Sequence, residues 1–180
     1  EAAHQVKEWK EKYNVTVPVS VNVTRVDVFN PLLGDMLDGI IKDSGINHED
    51  LLLEITESAY TDNSQQIIDT VTALRDRGFK IEMDDFGSGY SSLNMLTSLP
   101  IDALKLDMKF IRNICVNEKD SALVEIMIRI SDLLEVPIIA EGVETKEQAE
   151  LLKGIGCEII QGYYFSKPVP GEEFEKFIEA

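Results

Sequence analysis

Six short apolar runs punctuate the chain, and each delivers a polar or charged side chain at or near its C-terminal end. They are "VTVPVSVNV" (15–23), "LLLEIT" (51–56), "KIEMDDF" (80–86), "ALKLD" (103–107), "VPIIAEGV" (136–143) and "CEIIQGYYF" (157–165). Runs this short, β-branched or leucine-rich and bounded by turn residues, read as strands buried on both faces. Helical patterns separate them. "SQQIIDTVTALRDRG" (64–78) carries apolar residues at helical spacing and stops at Gly78. "DSALVEIMIRISDLLEV" (120–136) repeats that design, and "TKEQAELLKGIG" (145–156) opens with Thr145 and Gln148 at capping-box spacing. The opening residues are helix-like but begin without a cap. Strands alternating with helices predict βαβ units and a mainly parallel sheet. No linker or low-complexity tract interrupts the pattern, so residues 1–180 are expected to form a single domain.

The polar residues at the run ends are Asn22, Glu54, Asp84 with Asp85, Lys105, Glu141 and Gln161, spaced 32, 30, 21, 36 and 20 residues apart. Such spacings suit βα units. In a TIM-type (β/α) barrel all strands open at their C-terminal ends onto one face, so these residues would converge there. The expected fold class is therefore α/β, a (β/α) barrel of which about six strands are visible. One polar strand end is trivial; six in succession are not.

Convergence would crowd Glu54, Asp84, Asp85 and Glu141 into one pocket. Carboxylates a few ångströms apart cannot all stay ionised without cost. Divalent cations remove that cost, and a donor set of carboxylates with the amides of Asn22 and Gln161 is all oxygen. It suits Mg²⁺ or Mn²⁺ rather than zinc. Neither His4 nor His48 sits at a strand end. Adjacent aspartates can hold two ions about 4 Å apart, the clamp used in phosphodiester hydrolysis. Lys105 is the one fixed positive charge of the set. It either orients an attacking water and neutralises charge on phosphate, or serves as a salt bridge that holds the carboxylates. Asn22 and Gln161 have plainer alternatives too, a turn residue and a hydrogen bond closing the barrel end. A Schiff-base lysine fits poorly, because surrounding carboxylates raise its pKa where that chemistry needs it lowered.

Composition narrows the partners. A formal net charge of −16 disfavours nucleic acid polymers and anionic membranes. An anionic ligand then needs cations in the site. No apolar run approaches the roughly 18 residues of a membrane span, and no signal-peptide pattern opens the chain. Cys115 and Cys157 are isolated, which fits a reducing cytosol and two small core residues.

In this order, "SVNVT" (20–24), "LLLEITES" (51–58), "DDFGSGYSSL" (84–93), "LKLD" (104–107), "AEGVET" (140–145) and "QGYYFSKP" (161–168) resemble the EAL family of bacterial cyclic di-GMP phosphodiesterases. The resemblance covers almost the whole chain. It implies metal-dependent hydrolysis of one phosphodiester bond of cyclic di-GMP to linear pGpG, in bacterial second-messenger signalling. It implies Asn22, Glu54, Asp84, Asp85 and Glu141 as metal ligands, with Lys105 and Glu141 catalytic and Lys105 positioning the nucleophilic water. It further implies Glu57 as anchor of the loop that begins at Asp85, and Gln161 and Asp107 as substrate contacts.

The chain departs from the family in two places. The glutamate motif that names the family is absent, and with it the first two of eight strands, as expected of a fragment whose upstream segment is needed for turnover. Fusion to an upstream regulatory or GGDEF-type domain, homodimerisation, and a cytoplasmic domain whose parent is free or membrane-tethered also follow from the resemblance. An open arc exposes strand edges and invites pairing with another chain. The second departure is Glu82, two residues before Asp84, where relatives often carry a small residue. It is expected to pair with a neighbouring lysine or to mark an irregular strand. A module that binds cyclic di-GMP without cutting it, or that serves only as an interaction surface, is the alternative.

Overall fold

The computed structural model of the chain describes residues 1–60, 64–87, 97–98 and 100–179. Much of the glycine-bearing segment that follows the paired aspartates, 88–96 and 99, lies outside them. Six parallel strands form one sheet in chain order: β1 (Val19–Asn22), β2 (Leu51–Thr56), β3 (Lys80–Phe86), β4 (Ala103–Leu106), β5 (Ile138–Ala140) and β6 (Ile159–Ile160). Each strand pairs only with its sequence neighbours, as in the arc of a (β/α) barrel, and β1 and β6 are the outer strands.

Helix α1 (Ala2–Tyr13) precedes the strands, α2 (Arg25–Val28), α3 (Leu33–Ser44), α4 (Glu57–Tyr60), α5 (Ser64–Asp76), α6 (Met108–Ile111), α7 (Glu118–Leu133) and α8 (Lys146–Gly154) lie between them, and α9 (Gly171–Ile178) follows. Their apolar faces and one face of the sheet make a single core. Leu51, Leu53 and Ile55 of β2, Ile81 and Met83 of β3, and Leu104 and Leu106 of β4 are buried with Val71, Leu74, Val124, Ile128 and Leu152 from the helices. Truncating a side chain as buried as Leu53 to alanine costs about 2–5 kcal/mol.

Strand alternation turns the intervening residues to the other face. There stand Ser20, Asn22, Glu54, Glu82, Asp84 and Lys105, so the concave side of the arc is polar. The Thr145 hydroxyl accepts the Gln148 N–H and closes the capping box that opens α8. β1 and β6 are shorter than their apolar runs: residues 15–18 and 163–165 stand outside the ladder. Cys157 is buried in the core, but Cys115 is exposed just beyond α6, so it is not the core residue its size suggested.

Candidate active site

Two adjacent aspartates cannot both follow strand alternation onto the polar face. β3 solves this with a bulge. Met83 pairs with Leu104 and Phe86 with Leu106, so Asp84 and Asp85 together oppose the single residue Lys105. Asp85 takes a left-handed backbone, φ 56°, which aspartate tolerates better than most side chains. The extra residue returns Phe86 to the core while leaving both carboxylates free of it. The Asp85 N–H donates to Asp84 Oδ1 at 2.9 Å and steadies the kink.

Lys105 is buried, and three carboxylates converge on its ammonium. Glu54 Oε1 lies 2.6 Å from Nζ, Glu141 Oε1 2.7 Å and Asp84 Oδ1 3.3 Å. These come from four strands or strand ends that are far apart in sequence. Burial works against the charge on Lys105, but hydrogen bonds to Glu141 and Glu54 outweigh it and raise its pKa. A lysine held cationic in this way is unsuited to Schiff-base chemistry. Glu141 is pushed above the ordinary glutamate range by burial and by Asp84 and Glu54, although Lys105 pulls the other way. Asp85 is raised by partial burial and by its neighbours Asp84 and Asp107.

The other expected residues fall around this centre. Asn22 pairs in register with Glu54 at the outer edge of the sheet, and no side-chain hydrogen bond to it is present among the described residues. Gln161 follows β6, its N–H donating to the Ala140 carbonyl, and it lies beside Glu141. A cleft of about 260 Å³ is lined by Asp85, Glu141, Gln161, Met108 and Tyr163. A wider one, about 720 Å³, reaches Ser20, Glu54 and Gln161 from the gap between β1 and α9. Two glycines permit this packing. Gly142, at φ 73°, lies where a Cβ would stand 2.5 Å from that of Met108, and a Cβ at Gly162 would run into the Val143 backbone.

Glu57 is buried at the start of α4, and its Oε2 accepts the Gly87 N–H at 2.7 Å. It thus ties the end of β2 to the backbone just past Asp85. Asp107 is buried and close enough to Asp85 to raise its pKa. It caps α6 by accepting the Lys109 N–H at 2.8 Å, with the Lys109 ammonium at 3.2 Å. Glu82 does not pair with a lysine. It is buried and accepts the Ser20 hydroxyl at 2.8 Å, while its strand is irregular just beyond it. Ser20, Met108 and Tyr163 were not singled out by sequence reasoning. Ser20 and Tyr163 lie inside motifs already noted, but Met108 carries no signal of its own.

Among the described residues, no three carboxylate, histidine or cysteine side chains are already arranged around a common metal position. The carboxylates address the Lys105 ammonium instead. Their chemistry nonetheless fits a hard divalent cation: every donor is oxygen, and the local charge is three carboxylates against one ammonium.

The family model described as EAL domain matches residues 1–168. The chain belongs to the EAL domain family. Among curated EAL relatives, the cyclic di-GMP phosphodiesterase NbdA of Pseudomonas aeruginosa is 38% identical over 162 residues, 90% of this chain and 21% of its own length. Among solved structures, the complex of the PaMucR phosphodiesterase with c-di-GMP superposes with a TM-score of 0.91 at 31% identity, over 96% of this chain and 70% of that one. The manganese/cy-diGMP complex of Klebsiella pneumoniae BlrP1 gives 0.87 at 28% identity, over 94% and 43%. The chain spans about a fifth of the length of the curated relatives it matches first. The solved EAL structures share its barrel-type fold, and the six-stranded arc is a curled part of one. No helix among the described residues is long and apolar enough to cross a membrane.

Proposed function

We propose that residues 1–180 form most of a phosphodiesterase domain that hydrolyses cyclic di-GMP to linear pGpG, working within a longer signalling protein. The observation that carries this reading is the convergence of Glu54, Asp84 and Glu141 on Lys105 at the strand ends. In this reading Asn22, Glu54, Asp84, Asp85 and Glu141 hold Mg²⁺ or Mn²⁺. Divalent cations there neutralise a doubly anionic substrate and make a water easier to deprotonate. Lys105, fixed as a cation, orients the attacking water and offsets charge on the phosphate. Glu141, 2.7 Å from the Lys105 ammonium, helps fix that lysine beside the attacking water. Gln161 lines the cleft beside them and contacts substrate polar groups, and Asp107, which caps α6 on that side, is the second substrate contact. Glu57 holds the backbone past Asp85 in place. The oxygen of water bonds to phosphorus, the ester bond from phosphorus to one ribose 3′-oxygen breaks, and that oxygen takes up the proton the water gives up, leaving a 5′-phosphate and a 3′-hydroxyl.

Chromatography of nucleotide products tests the reading on the full-length protein containing this chain. Conversion of cyclic di-GMP to pGpG is expected with Mn²⁺ or Mg²⁺ and not with chelator, and Asp85→Asn is expected to abolish it. Asparagine tolerates the left-handed backbone at that position, so the loss reports on the carboxylate rather than on folding. Turnover in chelator, or undiminished turnover in Asp85→Asn, contradicts the assignment. Binding without cleavage in every metal would make the domain a receptor.

A further inference from the structure

The Ser20–Glu82 hydrogen bond joins two strands that are not neighbours. Ser20 lies on β1 and Glu82 on β3, with β2 between them. In a flat sheet those strands would be roughly 9.5 Å apart, with side chains standing parallel. A 2.8 Å contact between a short serine and a glutamate therefore needs the sheet curled toward the polar face. Glu82 is 6% exposed, and among the described residues Ser20 is its one hydrogen-bond partner. Glu82 is also a costly residue to keep there. Its register partner is Glu54, which places two carboxylates side by side on one face.

β1 is four residues long, and its residues alternate between half-buried and exposed. Asn22 lies two residues beyond Ser20 on the same face, at the end of that strand. The remaining expected ligands, by contrast, sit on inner strands or are fixed by Lys105.

We infer that Glu82 is a positioning residue: through the Ser20 hydroxyl it clamps the outer strand across the concave face and so sets where the Asn22 amide stands. The inference rests on the reading of Asn22 as a metal ligand, but the clamp itself does not.

Two measurements on the 180-residue chain separate clamp from reading. The first is amide hydrogen exchange along β1, without metal. Ser20→Ala and Glu82→Ala are each expected to speed exchange at Val23, whose N–H donates to the Glu54 carbonyl, about five-fold, the loss of one net hydrogen bond. Glu82→Gln, whose amide oxygen still accepts the hydroxyl, is expected to stay near the parent. The second is Mn²⁺ affinity by paramagnetic resonance of the free ion. Ser20→Ala and Glu82→Ala are expected to weaken binding, and neither is expected to weaken it further in an Asn22→Ala background. Unchanged exchange in Ser20→Ala overturns the clamp, as does Glu82→Gln behaving like Glu82→Ala in exchange. Additive losses of Mn²⁺ affinity with Asn22→Ala overturn the link to that ligand. Perturbed exchange with no Mn²⁺ binding by the parent chain leaves the clamp standing and sinks the metal reading alone.

Discussion

The ammonium of Lys105 lies 2.6 Å from Oε1 of Glu54, although β3 runs between the strands that carry them. This ion pair crosses the concave face just as Ser20–Glu82 does. It explains how three carboxylates coexist in a largely buried place: one cation sits among them. Removing one member of a buried ion-pair cluster strands the others.

Lys105→Met is accordingly expected to cost about 3 kcal/mol of folding stability in chelating buffer, because it leaves Glu54, Asp84 and Glu141 facing one another. Millimolar Mn²⁺ is expected to restore part of that loss. Urea unfolding with and without metal checks both halves. An unchanged midpoint in chelator would show that the carboxylates do not depend on the lysine.

The pH dependence follows from the same geometry. Burial first, and neighbouring carboxylates second, raise the pKa of Glu82 and Glu141 above the ordinary 4.5, and of Asp85 above 3.8. Above those values the folded state binds more protons than the unfolded one, so stability falls as pH rises through the window. Lys105, raised above 10.5, is charged in both states there and adds no slope. Asp38 and Asp102 are pulled down, so their contribution is complete above the carboxylate range and lost only in stronger acid. Without metal, the urea midpoint is expected to fall as pH rises from about 4.5 toward neutrality, with a shallower slope in Glu82→Gln. A midpoint that climbs with pH across this range contradicts the account.

Glu57→Ala removes the acceptor for the Gly87 N–H from a buried site. A stability loss of about 1–3 kcal/mol is expected. Hydrogen exchange at Gly87 is expected to accelerate, and phosphodiesterase activity of the full-length protein is expected to fall with it. Protection of Gly87 equal to the parent's would show that Glu57 anchors nothing there.

Much of this was legible in the sequence because parallel strands buried on both faces read as plain apolar runs. β2 and β3 coincide with their runs, and α5, α7 and α8 fall within two or three residues of theirs. Convergence of the strand ends followed from topology alone. Local geometry was harder to read. The bulge at Asp84 and Asp85 depends on which residue of β4 faces them, a non-local fact. Glu82 announced itself as a misplaced charge, but its partner Ser20 is 62 residues away and unremarkable by type. α3 escaped notice because it begins without a side-chain cap and holds Gly34 and Gly39. α9 has no buried residue to mark a core-facing stripe. Asp107 carried no sign that it caps a four-residue helix.

The most direct measurement is a Mn²⁺ titration of the chain at neutral pH, followed by the paramagnetic signal of the free ion. Saturable binding is predicted, weakened at least about ten-fold by Asp84→Asn and by Glu141→Gln, each of which removes a charged ligand. No saturable binding by the parent chain, or binding by both variants as tight as the parent's, would contradict the claim that these strand ends form a metal centre.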